Sequence, residues 1–173
     1  MRVILAAFAV ASAPAAIAQQ HDHTTPACAT TDAALPAGLE DWNGAAPLKT
    51  VSKAADLGDT LVTIGKGYAA ALGRTSSVYL PVAPEKPGGS VSYSGVFAFT
   101  VPQAGNYTVA LSTAAWIDVI EDGKALEPLS FGHGPECTTI RKMVVYPLKA
   151  GQHVLQIAGS GAETTKLLVA RQP

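Results

Sequence analysis

From Gly58 onward, apolar residues recur at alternate positions in short runs separated by Gly, Pro, Asn and Asp. A period of two is the signature of a strand with one face turned to a core. The clearest run is 90–101. Val91, Tyr93, Phe97, Phe99 and Val101 share one parity and are predicted to face the core, while Ser92, Ser94, Ala98 and Thr100 share the other. Gly95 interrupts the run and predicts a bulge or bend. Pro102-Gln103-Ala104-Gly105 turns the chain into a strand at 106–112 that buries Tyr107, Val109 and Leu111. A strand at 116–121 closes on Asp122-Gly123, a pair suited to a type I′ hairpin because both central residues must take positive φ.

Residues 140–148 and 152–158 form a second strand–turn–strand unit around Lys149-Ala150-Gly151, with His153, Leu155 and Ile157 on one face. A final strand covers 166–171, and earlier ones are predicted at 60–64, 68–72 and 77–82. The stretch after Pro102 echoes the stretch after Pro147, each an Ala-Gly turn followed by a new alternating strand, as at two corners of a sandwich. No segment after 58 carries a capped helical period. About eight or nine short, closely spaced strands give an all-β fold, an antiparallel β-sandwich of jelly-roll type.

The residues before this domain read differently. Arg2, an apolar stretch from Val3 to Ala11 and the small residues of Ala16-Ile17-Ala18 have the form of a signal peptide spanning 1–18. Processing there would leave Gln19 first, in a periplasmic or secreted protein. Residues 19–57 are Ala-, Thr-, Asp- and Pro-rich with little periodicity. They are read as an extended N-terminal arm anchored by Leu35, Leu39 and Trp42, ahead of a sandwich domain at 58–173.

At 173 residues the chain has room for one domain. A net charge of −1, with only 14% charged residues, supplies no basic field for a nucleic-acid partner. No later run is long and apolar enough for a membrane span. Export also changes the reading of Cys28 and Cys137. In an oxidising compartment they are expected to pair, closing a loop of about 110 residues. Two buried thiols, or a Cys ligand to copper, are the alternatives.

The residues at 97–111, Trp116-Ile-Asp-Val, Asp122-Gly and Leu148-x-Ala-Gly-x-His-x-Leu resemble jelly-roll modules that accompany carbohydrate-active enzymes. That resemblance implies a non-catalytic domain that binds sugars or sits in a larger assembly. The runs Pro84-Glu-Lys-Pro-Gly-Gly-Ser-Val-Ser-Tyr, Ala115-Trp-Ile-Asp and His133-Gly-Pro-x-Cys-x-x-Ile-Arg-Lys are similar to small exported proteins of α-proteobacteria. Such proteins often carry a homogentisate 1,2-dioxygenase label. That activity implies iron held by two His and one carboxylate, a set that His133, Glu136 and His153 can supply. The cupin pattern, His-x-His with a nearby Glu, is absent from the β region; the one His-x-His is His21-Asp22-His23 in the arm.

Candidate chemistry concentrates in two places. The loop 130–142 holds His133, Glu136, Arg141 and Lys142, braced by Cys137. Its cations suit an anion, or pair with Glu136 or Asp118. On the strand at 116–121, Trp116 and Asp118 share a face, an aromatic plane with a carboxylate beside it that suits a sugar ring. The competing reading makes Trp116 a core residue. His153, in line with Leu155 and Ile157, reads as a packed histidine. A free Gln19 amine with His21, and His23 beside it, forms a possible copper or nickel site unless Gln19 cyclises. No Gly-x-Ser-x-Gly elbow, His-Glu-x-x-His or P-loop is present. The first reading is a non-catalytic exported binding protein for a saccharide or envelope polymer, without a cofactor. A mononuclear iron enzyme using His133, Glu136 and His153 is the second, and a structural subunit the third.

Overall fold

The computed structural model describes Cys28 and residues 31–173. The signal segment and the His21/His23 metal site lie outside the described residues. Twelve strands are described: β1 (Ala46–Lys49), β2 (Leu61–Val62), β3 (Tyr68–Ala71), β4 (Gly73–Arg74), β5 (Tyr93–Val101), β6 (Gly105–Leu111), β7 (Trp116–Glu121), β8 (Lys124–Ala125), β9 (Ser130–Gly132), β10 (Lys142–Leu148), β11 (Gly151–Ser160) and β12 (Thr164–Arg171). They form two packed sheets. One has the order β1-β3-β12-β6-β10-β9; the other runs β2-β5-β11-β7-β8, with β4 also on β5. The fold is the expected β-sandwich. Pairing is antiparallel except at two edges, where β1 runs parallel to β3 and β2 parallel to β5.

The alternation read from the sequence builds the interior. Phe97, Phe99 and Val101 of β5, Tyr107, Val109 and Leu111 of β6, and Leu155 and Ile157 of β11 all lie in one buried cluster between the layers. Burying such side chains stabilises the fold by about 1.5–3 kcal/mol each before entropy is counted. The Asp122-Gly123 turn has φ of 50° and 75°, the double positive that a type I′ hairpin requires.

Several elements differ from the expectation. Residues 77–82 form no strand. A 3-10 turn occupies Thr75–Ser77, and the chain then leaves the sheet through Pro81, which has no N–H to give a ladder. Val91 is 70% exposed, because β5 starts only at Tyr93 and a turn closed by Ser92 N–H on the Gly89 carbonyl precedes it. The irregularity predicted at Gly95 lies across from it, in β11, where the register shifts between Ile157 and Ser160. Sheet structure also begins inside the arm, at β1.

The arm is anchored as expected. Leu39 and Trp42 are fully buried on the outer face of the first sheet, against Ala110, Leu168, Ala170 and Ile140, with Leu35 half-buried beside them. Trp42 Nε1–H donates to Thr139 Oγ1 at 2.8 Å. Cys28 and Cys137 are disulfide-bonded across a separation of 109 residues. Such a bond belongs to an oxidising compartment. Asp32 completes the latch, accepting from the N–H and hydroxyl of Thr139, with Lys166 Nζ 3.7 Å away. Burial works against its charge, but the Thr139 hydrogen bonds and the Lys166 ammonium hold its carboxyl below the ordinary range. Among the described residues no helix is long and apolar enough to cross a membrane.

Candidate functional site

The outer face of the second sheet carries a hydrogen-bonded cluster around a partly exposed indole. On β7, Ile117 and Val119 point inward, so Trp116 and Asp118 point outward. On the neighbouring β11, Gln156 lies opposite Asp118 and Ala158 opposite Trp116. Trp116 is partly exposed, Asp118 is 9% exposed and Gln156 fully buried. Trp116 Nε1–H donates to Asp118 Oδ1 at 2.9 Å, and Gln156 Nε2–H donates to Asp118 Oδ2 at 2.9 Å. Gln156 Oε1 in turn accepts from the Val82 N–H at 3.4 Å. The chain fixes the indole in place through a carboxylate that is itself braced from behind. Asp118 thus serves as a positioning residue for the indole.

Two elements outside β7 complete the site. Residues 78–92 cross this outer face and seat on the β11 irregularity. Gly159 has φ +68° there and Gly88 has φ +83°; a Cβ on Gly88 would fall 2.6 Å from the Gly159 Cα. Both glycines are required by the close approach as well as by the left-handed backbone. This contact carries Lys86, whose Nζ sits 5.5 Å from the Trp116 ring centroid. From the first sheet, Lys142 at the start of β10 reaches the same ring, with Nζ 5.2 Å from its centroid. Further along β10, Tyr146 Oη–H donates to the carbonyl of Ile117, the residue between Trp116 and Asp118, at 2.8 Å. Burial, with Asp118 and Glu127 adding repulsion, raises the Tyr146 phenol's pKa and keeps it a donor.

The electrostatics follow from this packing. Burial raises the Asp118 pKa, with Glu85 adding repulsion, against the two N–H donors and Lys142. Burial and the Lys86 charge lower that of Lys142, against the pull of Asp118. Neither Lys86 nor Lys142 forms an ion pair among the described residues.

Of the six ligand-binding candidates, the structure brings together Trp116, Asp118 and Lys142. His133, Glu136 and Arg141 are exposed on the disulfide-braced loop. His133 Nδ1 lies 3.2 Å from the Arg141 carbonyl oxygen, and no ion pair joins Glu136 to Arg141 among the described residues. His153 is at the other end of the sandwich. Its Nε2–H donates to the Lys149 carbonyl at 2.9 Å and its ring stacks on Phe99, which is the packed histidine its parity suggested. The seven residues of β10 lie between the two histidines' partners, about 20 Å of strand. His133, Glu136 and His153 therefore do not converge. No group of three His, Cys, Asp or Glu side chains suited to a metal occurs among the described residues. Lys86, Gln156 and Tyr146 were missed. The run containing Lys86 was visible, but nothing in its spacing indicated which face it would cross.

A depression of about 340 Å³ opens further along the same outer face, lined by Leu57, Leu61, Ala98, Ile120 and Val154. Its lining is mostly apolar, with Asp122, Gln152 and His153 among its polar side chains. No protein-family model matches the chain, and no curated protein matches it.

Proposed function

We propose that this protein is an exported, non-catalytic binding protein of the periplasm or extracellular medium, and that its ligand is a saccharide or envelope polymer. The observation that carries the reading is the partly exposed Trp116 indole, locked by Asp118 and Gln156 on a rigid sheet. A flat apolar ring held without rotamer freedom binds a sugar ring at low entropic cost. The signal-like residues 1–18 and the disulfide support the location. The scattering of His133, Glu136 and His153 weighs against the iron-enzyme alternative.

A glycan array tests this directly. Binding by the wild type, lost in Trp116→Ala and retained in part by Trp116→Phe, is the expected outcome. Binding that survives Trp116→Ala with unchanged affinity would place the ligand elsewhere and end the proposal.

The structural-subunit reading has one observation in its favour. The edge strand β9 presents Phe131, 77% exposed, beside exposed Leu129. An uncovered apolar edge is a template for pairing with another chain. A dimer in sedimentation velocity that dissociates in Phe131→Ser would favour it; a monomer at all concentrations would remove it.

A further inference from the structure

Two ammonium groups crowd one indole, and among the described residues no carboxylate forms an ion pair with either. The two Nζ atoms are no more than about 11 Å apart, since each lies within 5.5 Å of the same ring centroid. The carboxylate closest in chemistry, Asp118, is engaged by Trp116 and Gln156. Glu85, the other acid of the neighbourhood, is exposed on the crossing loop. Lys142 is half-buried, and both its burial and the Lys86 charge disfavour its protonated form. Like charges brought together on partly desolvated stems are unfavourable in the free protein. A ligand anion between them relieves that repulsion and leaves the ring to stack. A neutral sugar would offer the ammonium groups hydroxyl acceptors but no charge to offset their mutual repulsion.

We infer that the ligand of this site is an acidic saccharide, one whose carboxylate or phosphate bridges Lys86 and Lys142 while its ring lies on Trp116. The inference rests on the saccharide reading above and narrows it to a chemical class.

The test uses the full exported protein and three sets of probes: oligogalacturonates, phosphorylated oligosaccharides, and neutral galacto-oligosaccharides of equal length, with inorganic phosphate as a competitor. Calorimetry at low ionic strength should show binding of one acidic set at least tenfold tighter than the neutral set. Raising salt to 0.5 M should weaken it, because screening acts on exposed charges. Lys86→Gln, at an exposed loop position, should lower acidic-glycan affinity at least tenfold, and Lys142→Gln should do the same with an unchanged circular dichroism spectrum. Whichever acidic set binds identifies the anion as carboxylate or phosphate. Neutral glycans binding as well as acidic ones, through Trp116 and without either lysine, would overturn this inference and leave the saccharide reading standing. No binding by any glycan would overturn both. Inorganic phosphate binding as tightly as any acidic glycan would reduce the pair to a simple anion site and overturn the saccharide part.

Discussion

Replacing both Cys28 and Cys137 by Ser should lower global stability while leaving the arm seated. The disulfide closes a loop of 109 residues. In the chain-entropy account, opening a loop of that size in the unfolded state costs the protein about 4–5 kcal/mol. The native arm has other attachments. Trp42 is fully buried among Leu39, Ala110, Ile140, Leu168 and Ala170, and its indole N–H is bonded to Thr139. Truncating such a Trp costs about 3–5 kcal/mol, so it alone holds the segment down. The assay is urea unfolding followed by Trp emission in a Trp116→Phe background, where Trp42 is the only reporter. With a slope of about 2 kcal/mol per molar urea, the midpoint should fall by about 2 M. The slope itself should rise, because the unlinked unfolded chain exposes more surface. Emission without urea should stay blue-shifted. A midpoint loss under about 0.5 M, or red-shifted Trp42 emission before any urea is added, would refute the division of labour between staple and anchor.

Asp118 and Asp32 should show opposite pH linkage. The Asp118 pKa is raised above 3.8 in the fold, so its cost to stability is absent below that pH and grows as pH rises through the folded value. The stability deficit of Asp118→Asn relative to wild type should therefore narrow from pH 4 to pH 7 in urea midpoints; a widening deficit contradicts the assignment. The Asp32 pKa is held below 3.8, so its contribution is present at neutral pH and lost as pH falls below 3.8 through the folded value. Asp32→Asn should be less stable than wild type at pH 7, with a deficit that shrinks as pH falls below 3.8, and a deficit unchanged between pH 7 and pH 2 would count against the latch. Gly123→Ala should cost about 1 kcal/mol in urea unfolding, since its φ is 75° and its surroundings are open, so backbone strain is the whole effect. A neutral result would mean that the hairpin does not need the left-handed position.

Parity and turn chemistry are local properties, and they carried over. Tyr107, Val109 and Leu111 are buried because every second residue of a strand must face the same way, and Asp122-Gly123 turns because few other pairs accept two positive φ values. The Cys28–Cys137 bond needed only the oxidising context, with no other cysteine available. Leu167 and Val169 face the interior between the sheets, while Leu168 and Ala170 are covered by the Trp42 arm, which comes from the opposite end of the chain. The site was half legible. Trp116 and Asp118 are two apart on one strand, so periodicity joined them. Gln156 reaches Asp118 across 38 residues of sequence, and Lys86 reaches Trp116 only because two glycines let a loop touch the β11 irregularity. His133 and Glu136, close to Lys142 along the chain, stay out on the loop, while His153 is at the far end. Neighbours along a chain are fixed by its order, but neighbours across a sheet depend on register and on where a loop comes to rest. No repeat of apolar residues encodes either one.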